Sequence, residues 1–239
     1  MSQAGRVAVE RLVTIDGPAG SGKTTLGRRL AQALDLPLVD TGLFYRGVTA
    51  AAVLGGLDGS DAAALGELAR HVELEINTDP RAPDGAWQLR LDGEDVTAEI
   101  RDPARAPLLA RISGVREVRE ALREKQRRAA AAGAVAVGRD CGTVVFPWAP
   151  LKLYLDAPGP LRTGRRDQQL RGGGTPVDVA GLRAEVSDRD ALDSGRPESP
   201  LRPAEDAHMI DTGRLGIEEM VTEAMRLCRD VGLLAPAGE

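Results

Sequence analysis

Short, wholly apolar runs alternate along the chain with longer stretches in which apolar positions recur every three or four residues. The runs "RLVTID" (11–16), "PLVD" (37–40), "AVAVG" (134–138), "LKLYLD" (151–156) and "HMIDT" (208–212) read as strands covered on both faces. Between them, "KTTLGRRLAQAL" (23–34) sets Leu26, Leu30, Ala33 and Leu34 at helical spacing, and "LFYRGVTAAAVLGG" (43–56) is a second helix that ends at glycine. An Arg-rich stretch over about 103–132 reads as one long helix, and 216–231 as a last amphipathic one. Five short apolar strands separated by helices predict a parallel α/β sheet flanked by helices.

Two segments break this rhythm. "HVELEINT", "GAWQLRLDGEDV" and a glycine turn alternate with period two, so about 71–98 reads as a small antiparallel ribbon. "LRTGRRDQQLRGGGTPVDVAGLRAEVSDRDALD" reads as helix, Gly-rich turn, helix. Both are candidate mobile lobes on one core, and no internal repeat is present. A length of 239 residues suits one such domain.

Composition adds three constraints. Apolar residues make up 42% but aromatics only 3%, so Leu, Val and Ala must fill the core. The net charge of −5 argues against a general nucleic-acid binder. Yet of 31 cationic residues only Lys23, Lys125 and Lys152 are lysines, and clustered Arg can build a local anion site within an acidic protein. Cys141 and Cys228 lie too far apart for metal spacing, and His71 and His208 stand alone. The expectation is reduced thiols in a cytoplasmic protein, with no leader pattern and no apolar run of about 18 residues for a membrane span. Trp87 and Trp148 are expected to pack in the lobe and beside the core, and Lys125 and Arg128 to be solvated.

Between the first strand and first helix stands Gly17-Pro18-Ala19-Gly20-Ser21-Gly22-Lys23-Thr24, followed by Thr25, a match to G-x-x-x-x-G-K-[ST] in the context that motif requires. Glycines let backbone N–H groups turn toward phosphates, and the helix start adds partial positive charge. Lys23 would reach the β- and γ-phosphates and the Thr24 hydroxyl would ligate Mg²⁺. The loop specifies a nucleoside triphosphate, not the fate of its phosphate. No N-K-x-D guanine signature is present. If the acceptor is itself a phosphate, two polyanions must meet, which demands several cations and no strong general base. The strand ends, where α/β sheets bind ligands, offer them: Thr41 and Arg46 after the second strand, and Arg139 and Asp140 after the third long run. Arg189, Asp193 and Arg196 follow in the second interruption.

In these residues the chain resembles bacterial cytidylate kinases. The resemblance rests on "TIDGPAGSGKTT", "DTGLFYRG", "DGEDVTAEIR", "VREALREKQR", "GRDCGTVVFP", "RDALDSGR" and "SPLRPAEDAHMIDTG", in order over about 11–230. It implies a five-stranded core (about 7–40, 133–157 and 205–232), a nucleoside monophosphate lobe (about 41–132) and a lid (about 158–196). It also implies transfer of the ATP γ-phosphate to CMP or dCMP with Mg²⁺, by a monomer without nucleic-acid or membrane partners. By the same resemblance Lys23 and Thr24 serve ATP and its metal, and Arg46 and Arg139 hold the acceptor phosphate. Thr41, Arg119 and Asp140 lie near the cytosine, Arg189 and Asp193 beside the ribose and phosphate, and Arg196 at the junction. Arg162, Arg165 and Arg166 lie in the lid helix, with Arg162 and Arg166 assigned to ATP.

Three positions depart from the family pattern. Val137 stands where an acid commonly precedes "GRD" and helps organise metal-bound water, a task that Asp16 could take over. Ala110 stands where a sugar-contacting Ser is common, with Ser113 nearby but not equivalent. Cys141 replaces an aliphatic residue or Met and is read as packing. Two other readings remain open: a nucleotide-binding sensor with little turnover, and a kinase for UMP or AMP.

Overall fold

A computed structural model describes residues 11–81, 87–172, 179–196 and 198–234. Its central sheet has the order β2-β6-β1-β7-β8 and is parallel throughout: β1 Leu12–Asp16, β2 Leu38–Asp40, β6 Ala134–Gly138, β7 Leu151–Asp156 and β8 His208–Asp211. These are the five predicted strands. The register sets Asp16 beside Gly138 and Tyr154, and Asp40 beside Val137, so the C-terminal strand ends form one edge.

Successive strand residues feed opposite faces, the period-two geometry of a strand. Val13, Ile15, Val135, Val137, Leu151, Leu153 and Leu155 pack under α1 (Lys23–Leu34) and α8 (Ile217–Asp230). Leu12, Val39, Ala134 and Ala136 face the other way, toward α2 (Thr41–Leu54) and the lobe. Val137 belongs to the first layer. A Cβ built on Gly27 of α1 would fall inside van der Waals contact with its Cγ1. The bare Gly27 backbone is therefore what lets α1 sit on Val137.

The lobe holds α3 (Ala62–His71), a three-stranded antiparallel sheet and two further helices. The sheet comprises β3 Leu74–Asn77, β4 Gln88–Leu91 and β5 Glu94–Asp95. The alternation over 71–98 is thus confirmed in kind. Helix α3 lies in a stretch whose pattern gave no element. Its signal is Asp61, whose carboxylate accepts the Ala64 N–H at 2.9 Å as an N-cap. The long helix expected over 103–132 is two: α4 Ala106–Ile112 and α5 Arg116–Ala129. Ser113 caps the first, Gly114 disfavours continuation, and the extended backbone of Val115 starts the second. One surface expectation is corrected. Lys125 Nζ donates to Val72 O at 2.7 Å rather than standing in water, because its stem reaches across to the end of α3. Trp148 packs beside the core as expected, edge-on to buried Phe146 at 6.1 Å, while 45% exposed and with the Arg127 guanidinium over its ring at 4.8 Å.

The second interruption forms α6 (Gly159–Gly172) and α7 (Val179–Ser194). The Gly-rich turn expected between them lies outside the described residues. No helix among the described residues is long and apolar enough to cross a membrane.

Candidate active site: a phosphate loop facing an arginine cluster

The phosphate loop leaves β1 at Asp16 and enters α1 at Lys23. Gly17 and Gly20 take φ values of +149° and +73°, and a Cβ on Gly20 would lie 2.5 Å from the Arg162 carbonyl oxygen, so neither position admits a side chain. Lys23 Nζ folds onto its own loop, donating to Pro18 O at 2.6 Å. Burial pulls its ammonium down to about 7, reinforced by the positive charge of Arg139. A phosphate entering the loop would favour the charged amine again. Thr24 is exposed in the first turn of α1. Among the described residues no group of three His, Cys, Asp or Glu side chains is gathered to hold a metal alone. A hydroxyl plus nucleotide phosphates is a donor set that Mg²⁺ accepts, so these residues fit an ion that arrives with its nucleotide.

Asp16, the acid expected near the metal, has both carboxylate oxygens bonded within the protein. Its two oxygens accept the N–H groups of Cys141 at 2.8 Å and Gly142 at 2.7 Å, fastening the π-helical turn Cys141–Val145 onto β1. Burial pushes its carboxyl up to about 6 despite those bonds. Thr41 also faces inward: its hydroxyl donates to Val137 O at 3.0 Å and sits 3.7 Å from Cys141 Sγ. Both residues thus bond within the protein at the C-terminal strand ends. Cys141 is fully buried, as a packing residue should be.

The predicted arginines do converge. Asp193, with no exposed surface, pairs with Arg139 at 2.6 Å, Arg189 at 3.4 Å and Arg196. Three cations thus face one anion and retain surplus positive charge. Arg139 Nη1 is buried with no hydrogen-bond partner in the protein, a donor left over for a ligand. Arg119 pairs with buried Asp140, donates to Ser113 O at 2.8 Å and lies over the Tyr45 ring at 5.2 Å, and its buried Nε is likewise without a partner. Arg46 Nη1 donates to Ile100 O at 3.0 Å. It lines a small open depression with Thr49, Ile100, Arg105 and Leu109.

The lid reaches the phosphate loop directly. Arg162 pairs with Asp190 and donates to Ala19 O at 3.1 Å, while Asp190 Oδ1 accepts the Ala19 N–H at 3.4 Å. Arg165 instead anchors the lid helix to Thr212, with bonds of 2.8 Å to its hydroxyl and 2.6 Å to its carbonyl. Arg166 follows, half-buried.

Four contributors escaped the sequence reading. Asp40 caps α2 through the Gly42 N–H at 3.0 Å. Burial raises its carboxyl, while Gly42 and the charges of Arg46, Lys23 and Arg139 oppose that rise, so it lies in the field of both half-sites. Its position at a strand end, directly before Thr41, was the available signal. Asp190 and Tyr45 have partners distant in sequence and carried none, and Ser113 stood out only as a non-equivalent neighbour of Ala110.

A parallel sheet with a phosphate loop after its first strand, and an arginine cluster gathered near the same edge, defines a phosphate-loop kinase of the α/β class. The sequence profile described as Cytidylate kinase matches residues 13–230. The cytidylate kinase of Symbiobacterium thermophilum is 41% identical over 221 residues, covering 92% of this chain and 96% of that one. The bifunctional pantoate ligase/cytidylate kinase of Synechococcus elongatus is 44% identical over 225 residues, covering 93% of this chain but 42% of that protein, so the chain spans less than half of that relative. The shikimate kinase of Acinetobacter baumannii, solved with shikimate, overlaps 95% of this chain and 99% of its own at 17% identity and a TM-score of 0.38, too low to add to the fold. The chain belongs to the cytidylate kinase family.

Proposed function

We propose that this protein transfers the γ-phosphoryl group of ATP to CMP or dCMP, giving CDP or dCDP. The observation that carries the reading is the gathering of Arg139, Arg189 and Arg196 on buried Asp193, beside the phosphate-loop lysine whose charge Arg139 already feels. A second phosphate is the ligand such a cluster is suited to take. The loop N–H groups and Lys23 bind the donor phosphates. Arg46, Arg139, Arg189 and Arg196 hold the acceptor phosphate in line, and Asp193 fixes the direction of their forks. Arg119 and Asp140 offer donor and acceptor groups to the base, which suits cytosine with its N4 amino donor and O2/N3 acceptors. Arg162, docked on Ala19, helps the lid exclude water from the transfer. Thr24 would hold Mg²⁺, which when bound supplies charge neutralisation across the phosphates. The protein acts as a monomer in the cytoplasm, a reading supported by the family resemblance.

A coupled ADP-release assay with CMP, dCMP, UMP, AMP and no acceptor tests this. Release with CMP and dCMP alone is the expected result. Release with UMP or AMP would replace the acceptor, and nucleotide binding without release would make the protein a sensor. Within the site, Arg139→Ala should lower kcat/KM about 100-fold or more. Arg128→Ala, whose side chain is 70% exposed and 4.0 Å from Glu124, should change it less than twofold. Equal losses would remove the arginine cluster from the mechanism.

A further inference from the structure

The break between α4 and α5 does more than end a helix. Ser113 is 3% exposed, and all of its polar groups are engaged. Its N–H donates to Leu109 O at 2.9 Å and its hydroxyl to Ala110 O at 3.0 Å, both ordinary for a helix C-terminus. The other two contacts are not needed for capping. The Ser113 carbonyl accepts Arg119 Nη1 at 2.8 Å, and its hydroxyl oxygen accepts Arg196 Nη2 at 3.0 Å. One residue thus touches the arginine of the base-side pair and the last arginine of the lid cluster. Arg196 also forms an ion pair with Asp193, three residues earlier in the same lid segment. The Ser113 hydroxyl therefore joins that guanidinium to the acceptor lobe. The nearby lobe-to-lid pair Arg116–Glu198, at 3.2 Å, is exposed on both sides and holds weakly.

We propose that Ser113 is a positioning residue that couples occupancy of the base pocket to the lid. A displacement of Arg119 is passed through the Ser113 backbone to its hydroxyl, and so to the fork of Arg196 where the two phosphates meet. The assignment of what fills the pocket rests on the function proposed above; the mechanical link does not. With Ala at position 110, the turn's hydroxyl sits three residues later, on the same helical face, where it holds the lid arginine.

Hydrogen exchange on the full chain without nucleotide tests the link independently of any substrate. Ser113→Ala should speed exchange across 187–194 of α7 by about tenfold, the loss of a hydrogen bond to a charged group, while β1 keeps its protection. Arg196→Lys, which keeps the charge but loses the fork, should have the same effect. The double variant should exchange no faster than either single one. In turnover, Ser113→Ala should raise KM for the acceptor about tenfold and leave KM for ATP unchanged. Unchanged exchange at 187–194, acceleration shared equally by β1, additive effects in the double variant, or a KM rise shared by ATP would each overturn the proposal. If the link appears in exchange while CMP is no acceptor, the joint stands and the acceptor assignment falls.

Discussion

At the scale of single residues, Asp193 is the anion on which the arginine cluster gathers. It is fully buried, and three guanidinium groups converge on it. Removing one member of a buried charge set leaves the rest uncompensated, at a cost of about 3 kcal/mol or more. Asp193→Asn should therefore lower Tm by about 6–12 °C. CMP should raise the Tm of that variant more than that of the wild type, because the acceptor phosphate supplies the missing anion. A scanning-calorimetry melt with and without CMP reads both effects, and a smaller CMP shift in the variant would contradict them. Much of this cluster was legible in the sequence: arginines at strand ends, beside a phosphate loop, in an acidic chain with few lysines. What could not be read was which arginines hold a ligand and which hold the protein. Arg165 differs from Arg162 by three positions, yet it is committed to Thr212 rather than to the loop. Thr41 and Asp16 stood at the right strand ends, but they face inward.

At the scale of elements, the seating of α1 on the sheet depends on a matched pair. Alanine at position 27 would favour the helix by about 1 kcal/mol, but its methyl would press on the stiff Cγ1 of Val137, a clash of about 1–3 kcal/mol. Gly27→Ala should lower stability in urea unfolding. Val137→Ala in the same chain should restore part of the loss, with a coupling of at least about 0.5 kcal/mol. Strictly additive effects would show that the two residues do not meet. The same packing explains why Val137 is apolar although it ends two residues before Arg139: an acid there would enter the layer beneath α1. Element type was readable wherever a period ran long, as in β1, α1, β6 and α8. It failed where one residue outweighs a pattern. The periodicity around Ser113 and Gly114 is helical on both sides, and the helices are separated only by a cap, a glycine and one extended residue.

At the scale of the whole molecule, burial sets the alkaline limit of stability. It pushes the Cys228 thiol up to about 11, the Tyr45 hydroxyl up to about 12, and the Cys141 thiol well above its ordinary value. Each group keeps its proton in the fold at pH values where the unfolded chain releases it. Their contribution is complete below about pH 9 and is lost as pH climbs through 9–12. Urea midpoints should be level with respect to these groups up to about pH 8.5 and fall above it. Ellman titration at pH 8 should find both thiols only after unfolding. Rapid reaction of either thiol in the native protein would refute the burial. The architecture at this scale was the most legible level, because strands buried on both faces leave unmistakable apolar runs. The docking of lid on loop was the least, since it depends on contacts between residues 143 and 171 positions apart.

That docking has a consequence for how tightly a donor is held. Asp190 places a carboxylate oxygen on the Ala19 N–H, one of the groups the loop offers to phosphate. On the function proposed above, that oxygen would be a tethered competitor for the donor phosphates, and the affinity observed would be the intrinsic one reduced by the fraction of molecules in which Asp190 has let go. Asp190→Ala, which removes the acceptor oxygen, should therefore tighten ATP binding by about twofold to fivefold in calorimetry. The idle loop keeps its shape by holding a poor imitation of its cargo.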